Sequence, residues 1–331
     1  MGDGSQHIFR WDLDKTYLET QFDQLGDLLR SAFEGAEAKR SVPGASAILR
    51  ELRRGEGRRV CFISGSPKQM RRVLTKKLAI DGVEFDEFIL KPNLRNLLRG
   101  RFRALRDQVG YKLPALLRGR LGIDATTRET CFGDDAEADA FVYSLYADLL
   151  AKKVDQALLA EILARSGCYR DTVKRTLALA QQVERVPAVQ RIFIRLERSS
   201  TERFERYRPR LVPIYNYFQA ALVLLEDALL DSAAVVRIAL EMAEQSGFSV
   251  ADFVSALEDL LARGCLTRET ARDFALHLDS EGIPLGGLPT GSQIVQAFGA
   301  RVRALRTPEP TPGPRPAIDY LSALAADLDR S

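Results

Sequence analysis

The sequence is poor in the residues that build metal–thiolate sites. It has 4 Cys and 2 His among 331 residues. Cys61, Cys131, Cys168 and Cys265 stand apart with no C-x-x-C pair, so a zinc site is not expected. Cys61 and Cys131 lie in apolar runs and read as buried thiols of a reducing compartment. Net charge is nearly absent too: 48 basic residues face 45 acidic ones. No overall field points to nucleic acid, and no aromatic stacking motif for RNA is visible. The first fifteen residues, MGDGSQHIFRWDLDK, hold no apolar signal run, and Gln6 stands where a myristoylation motif wants Ser or Thr. The longest apolar stretch, NYFQAALVLLEDALL, is interrupted by Glu226 and Asp227, too short and too charged to span a bilayer. No repeat period suggests a solenoid. These absences leave a soluble globular chain, expected in the cytoplasm, with room for two domains.

The first half alternates between two periodicities. HIFRW (7–11), RRVCFIS (58–64), FDEFILK (85–91) and ETCFG (129–133) read as strands. Helical patterns lie between them: SVPGASAILRELRRG, PKQMRRVLTKKLAI and YKLPALLRGRLG. The alternation predicts a three-layer α/β/α Rossmann-like domain with a central parallel sheet over residues 1–150, its site at the carboxyl ends of the strands. After residue 150 strand signals nearly vanish, and residues 151–306 read as an all-α domain. PIYNYFQAALVLLEDALLDSAAVVRIALEMAEQSG reads as one long helix or two, and RFERYRPRLVPIYNYF before it as a helix junction kinked at Pro209 and Pro213. Ser249 and Asp252 have capping-box spacing. Residues 307–331 are a Pro-rich linker, TPEPTPGPRP, and a short amphipathic helix that either docks on the body or binds a partner.

Four places carry chemistry. A strand runs into Asp12 and Asp14, with Thr16 beyond. A second ends at Ser64, where Gly65 and Ser66 open a helix; a hydroxyl with free N–H groups behind it suits a phosphate oxygen or simply caps the helix. Lys112, at the expected start of a helix, opposes the dipole unless it faces an anionic site, and Lys91 at a strand end is its rival. A fourth strand runs into Asp134, Asp135 and Asp139, hard oxygen donors of the kind Mg²⁺ takes.

The order D-x-D-x-T, Ser, Lys, G-D-x-x-x-x-D, each near a strand end, resembles the haloacid dehalogenase-like phosphatases over residues 7–150. The resemblance implies a covalent mechanism. Asp12 would attack phosphorus, and Asp14 would protonate the leaving oxygen and then activate water. Thr16 would position this loop, while Ser64, Gly65 and Lys112 would hold the phosphoryl group. Mg²⁺ would be bound by Asp12, the carbonyl of Asp14 and Asp134, with Asp135 or Asp139 beside them. DKT also begins the D-K-T-G-T motif of cation-pumping ATPases, but Tyr17 and Leu18 stand where Gly and Thr are required.

Neither interval between the motifs holds a folded cap, so an open site and a large or membrane-held substrate are expected unless the helical domain covers the opening as a lid. WDLD, ISGSPKQM and GDDAEADAFVY are similar to the lipin and actin-patch-protein type of phosphatidate phosphatase, which implies a lipid phosphate at a membrane surface. Lys15 and Asp135 depart from that pattern, which has Asp or Gly at the first and Ser at the second. Residues 68–120 hold 14 Lys and Arg against 5 Asp and Glu, a face for anionic lipid or merely a solvated one. The alternative is a regulatory protein on a phosphatase-like fold, whose helical half binds a partner or a second copy.

Overall fold

The computed structural model describes residues 6–19, 40–91, 101–280 and 316–328, the side chains of 101–107, 278–280 and 327–328 excepted. The Pro-rich stretch 307–315 lies outside these residues. The chain divides into two compact units. One comprises Met1–Val42, Gly55–Pro213 and Ala317–Ser331; the other comprises Pro43–Arg54 and Ile214–Pro316.

The first unit is built on a six-stranded sheet of order β3-β2-β1-β4-β5-β6. Its strands are β1 (His7–Trp11), β2 (Arg58–Pro67), β3 (Glu87–Lys91), β4 (Arg128–Asp134), β5 (Val189–Arg195) and β6 (Leu211–Ile214). The pairings β3–β2, β2–β1, β1–β4 and β4–β5 are parallel. Strand order reverses between β1 and β4, the point where ligands bind open α/β sheets. Helices α2 (Arg71–Ile80), α3 (Arg101–Arg120), α4 (Asp139–Leu150), α5 (Gln156–Arg165), α6 (Arg170–Gln182) and α11 (Tyr320–Leu328) belong to this unit. The three-layer α/β/α expectation holds.

The register places one aromatic row across five strands: Phe88, Phe62, Trp11, Phe132 and Phe193 are successive partners. Trp11 stacks on Phe132 with centroids 3.9 Å apart, and Phe132 on Phe193 at 5.0 Å. Side chains alternate across a strand, so Ile63, Cys131, Ile192 and Ile194 face the opposite side and join the core built with α3–α6. Trp11, the β1 member of the row, directly precedes Asp12.

A buried ionic network ties α3 to the other face of the sheet. Glu129 accepts from Arg10 Nε at 2.7 Å, Arg120 Nη1 at 3.2 Å and Tyr146 Oη at 2.9 Å. Arg120 also donates to the carbonyls of Thr127 and Asp124. All three carboxylate partners satisfy one buried charge, which is what makes its burial tolerable.

Residues 151–213 differ from the helical reading. β5 and β6 continue the sheet there. In β5 a three-residue apolar core, Ile192–Ile194, is flanked by Gln190, Arg191 and Arg195, too short to stand out among helical patterns. β6 holds Pro213, a residue tolerated at a sheet edge. The segment read as a kinked helix junction is a 3-10 turn, Thr201–Tyr207, followed by β6. Helix α11 docks within the first unit: Tyr320 Oη donates to Asp148 Oδ2 at 2.8 Å, while Arg210 reaches Oδ1 at 2.9 Å.

His7 supplies a pH test of this unit. It is buried against Thr130, with Nε2 2.9 Å from Oγ1. Burial, reinforced by Arg58, lowers its pKa from 6.5 to about 4. Between those values the unfolded chain binds a proton that the native chain refuses, so stability falls as pH drops through the window. The full loss is on the order of 3 kcal/mol. His7→Gln should remove this component; denaturant melts of both proteins at pH 7 and pH 4.5 measure it, and an identical pH response would refute it.

The second unit contains α1 (Ala45–Arg53), α7 (Tyr217–Glu226), α8 (Ser232–Ser246), α9 (Val250–Ala262) and α10 (Arg268–Ser280). The PIYNYF…EQSG stretch is two helices, separated where Ala228 takes φ +56°. The predicted capping box of Ser249 and Asp252 is present. α1 follows β1 in sequence but packs with α7 and α8. Its buried Glu51 accepts from Arg237 at 2.9 and 2.7 Å. Gly44 enters α1 at φ +83°, and a Cβ there would lie 2.7 Å from Met242 Sδ; backbone and space both require glycine.

Candidate active site

Asp12 extends β1 by one step: its N–H donates to the carbonyl of Phe132 at 2.8 Å. The chain then turns tightly. The N–H groups of Tyr17 and Leu18 both donate to the carbonyl of Leu13 at 3.0 Å, and Lys15 adopts φ +59°. This turn folds Asp12, Asp14 and Thr16 together, all buried. Thr16 Oγ1 lies 3.4 Å from Asp12 Oδ2 and 3.5 Å from Asp134 Oδ2.

Lys112 is the cation of the site and is wholly buried. Its Nζ lies 2.8 Å from Asp12 Oδ1 and 2.8 Å from Glu137 Oε2, and it also pairs with Asp139. Lys112 sits inside α3, not at a helix start as the sequence suggested. Gly110 and Pro114 lie within the helix. Gly110 brings it close to α6, where a Cβ would touch Cys168 Sγ at 3.3 Å and Thr172.

The β4 loop adds the remaining acids. Asp134 Oδ1 accepts from the N–H groups of Ala136 at 2.6 Å and Glu137 at 3.0 Å. Asp139 opens α4 and packs against Gly133 so closely that a Cβ there would lie 2.5 Å from its Oδ2. Asp12, Asp134, Glu137 and Asp139 each offer an oxygen, all within 4.8 Å of one another. Asp135 is not among them. Successive side chains at a strand end point opposite ways. Its carboxylate instead accepts from the N–H groups of Glu197, Arg198 and Ser199, at 2.9, 2.9 and 2.6 Å.

The phosphate-side residues are engaged with Asp14. Ser64 Oγ donates to Asp14 Oδ2 at 2.8 Å, and Ser66 Oγ reaches both carboxylate oxygens at 3.0 and 2.9 Å. Gly65 lies between them, with Gln108 and Glu137 as the nearest atoms a Cβ would meet.

Charge in this site is unbalanced. Four carboxylates share one lysine. Burial lifts the Asp12 and Asp134 carboxyls well above the ordinary range; neighbouring acids add to the rise and Lys112 opposes it. Burial raises Asp139 to about 6 against the pull of Lys112. Asp14 is raised by burial and by Glu137, with Ser64 and Ser66 opposing. Burial alone would lower Lys112, but Asp12, Asp139 and Glu137 outweigh it and hold the ammonium charged. An all-oxygen, excess-anionic donor set fits a hard divalent cation such as Mg²⁺.

A phosphatase family model covers these loops. Residues 11–161 match the phosphatidate phosphatase APP1 catalytic domain. This stretch is similar to that catalytic domain, in keeping with the phosphatase family its motifs resemble. No curated protein and no solved structure matches the chain significantly. The APP1-type stretch runs from the end of β1 into α5, so every acid of the cluster falls within it.

Two residues of the site escaped the motif reading. Glu137 falls at an unspecified position of G-D-x-x-x-x-D; its signal was a fourth acid in one loop. Ser66, read as a phosphate contact or a helix cap, holds Asp14.

Proposed function

We propose that this chain is a Mg²⁺-dependent phosphomonoesterase that works through an aspartyl-phosphate on Asp12, with a lipid phosphate such as phosphatidate as substrate. The observation that carries this reading is the position of Asp12. It lies at the switch point of the sheet, paired with Lys112 and within 4.8 Å of three further carboxylates.

Asp12, Asp134 and Asp139 would hold the metal, with Glu137 beside them and the carbonyl of Asp14 completing the set. The metal supplies charge neutralisation for the transferring phosphoryl group. Asp12 attacks phosphorus as Asp14 gives its proton to the leaving oxygen; Asp14 then takes a proton from the water that attacks the phospho-enzyme. Lys112 neutralises charge between Asp12 and the phosphoryl group. Ser64 turns from Asp14 to the phosphoryl oxygens, alongside the Gly65 N–H. Thr16 fixes the turn that sets Asp12 and Asp14 apart.

No helix among the described residues is long and apolar enough to cross a membrane. A lipid substrate would be met at the bilayer surface, with the exposed basic residues Lys68, Arg72 and Lys76 toward anionic headgroups. The test is phosphate release from phosphatidate in mixed micelles against a panel of soluble phosphomonoesters. Preferential turnover of phosphatidate supports the lipid assignment; turnover of soluble esters alone removes it and leaves the phosphatase intact.

A further inference from the structure

The turn that carries Asp14 is held from β5, a strand outside residues 11–161. Arg195 ends β5 and is half-buried. Its Nη1 donates to the carbonyl of Lys15 at 2.8 Å. Lys15 lies between Asp14 and Thr16 at φ +59°. The left-handed region is unfavourable for a residue with a Cβ. Relaxation of that peptide would swing Asp14 and Thr16 with it. A charged donor on the Lys15 carbonyl opposes that relaxation.

The same segment is fastened to the β4 loop. Arg195 pairs with Asp134 in the ladder, and its carbonyl accepts from the Asp135 N–H at 3.1 Å. Asp135 in turn holds the N–H groups of residues 197–199, and Arg203 Nη1 donates to Ser199 Oγ at 2.8 Å. The β1 and β4 loops are thus joined through residues 195–203. Asp135, the acid that stands outside the metal cluster, has a role in that joint.

We infer that Arg195 is a positioning residue for proton transfer by Asp14. It acts through the Lys15 carbonyl to hold the acid at the leaving oxygen as the phosphorus–oxygen bond breaks. The inference rests on the reading of Asp14 as the acid. A merely structural arginine would weaken the protein for every substrate alike. A positioning arginine matters most where the leaving group most needs a proton.

The full-length protein with Mg²⁺ is assayed on 4-nitrophenyl phosphate, a good leaving group, and phenyl phosphate, a poor one. In Arg195→Ala, kcat/KM should fall roughly 10–100-fold on phenyl phosphate and no more than about threefold on 4-nitrophenyl phosphate. Asp14→Asn, run beside it, should show the same selectivity more strongly. Equal losses on both substrates in Arg195→Ala, with Asp14→Asn still selective, overturn the positioning role and leave Asp14 as the acid. An unselective Asp14→Asn overturns the reading on which the inference rests. Should the alanine variant not fold, Arg195→Gln keeps polarity without reaching the Lys15 carbonyl, and a selective or uniform loss decides in the same way.

Discussion

Asp12→Asn should abolish phosphate release while leaving the fold in place. Asparagine matches aspartate in shape, and its one side-chain oxygen can still accept from Lys112, which contacts Oδ1, while the amide NH₂ takes the place of the oxygen that faces Thr16. The substitution also removes one of four crowded carboxylates, so the melting temperature should hold or rise. What it lacks is a nucleophile, because an amide oxygen does not form a stable bond to phosphorus at neutral pH. Loss of a nucleophile costs about four orders of magnitude or more in turnover. Hydrolysis of 4-nitrophenyl phosphate measures it. Activity within tenfold of the parent, by about 1.4 kcal/mol of barrier, would place the nucleophile elsewhere.

Lys112→Met should have the largest effect on stability. Lys112 is 0% exposed and paired with Asp12, Glu137 and Asp139, of which Asp12 and Asp139 are also 0% exposed. Methionine fills much of the volume but leaves those acids without their cation. Removing one partner of a buried ion pair costs about 3–5 kcal/mol. Denaturant melts in a chelator should show this loss. Added Mg²⁺ should recover more stability in the variant than in the parent, since a ligand that binds only the native state stabilises it by mass action. Melts within about 1 kcal/mol of the parent would mean that the acids are neutral in the native protein, a loss small by the standard of buried pairs.

Much of the catalytic unit was legible because period-2 apolar runs bounded by glycine and acid define strand ends. β1 fell at residues 7–11 as predicted, and Asp12, Ser64 and Asp134 lie near carboxyl ends of strands, whereas Lys112 lies within a helix. The switch point was not legible, since strand order depends on packing between distant segments. Lys112 was found, but its helix was misplaced: Gly110 and Pro114 look like punctuation, while tertiary contact with α6 keeps the helix continuous. Asp135 and Asp139 could not be separated by sequence; Asp135 turns to the N–H groups of residues 197–199, while Asp139 opens α4 and pairs with Lys112. β5, and with it Arg195, was hidden by polar residues flanking three apolar ones. The helical half gave its caps correctly, but α1 joins that unit through packing no local pattern records.

The central claim is that Asp12 carries the phosphoryl group. Acid quench of a single turnover, followed by peptide mass spectrometry, tests it most directly. The account predicts one phosphoryl group on the peptide containing Asp12, absent in Asp12→Asn and retained longer in Asp14→Asn, where water is not activated. A phosphoryl group on another residue, or product formed in that turnover with no phosphorylated peptide at any quench time, would contradict it.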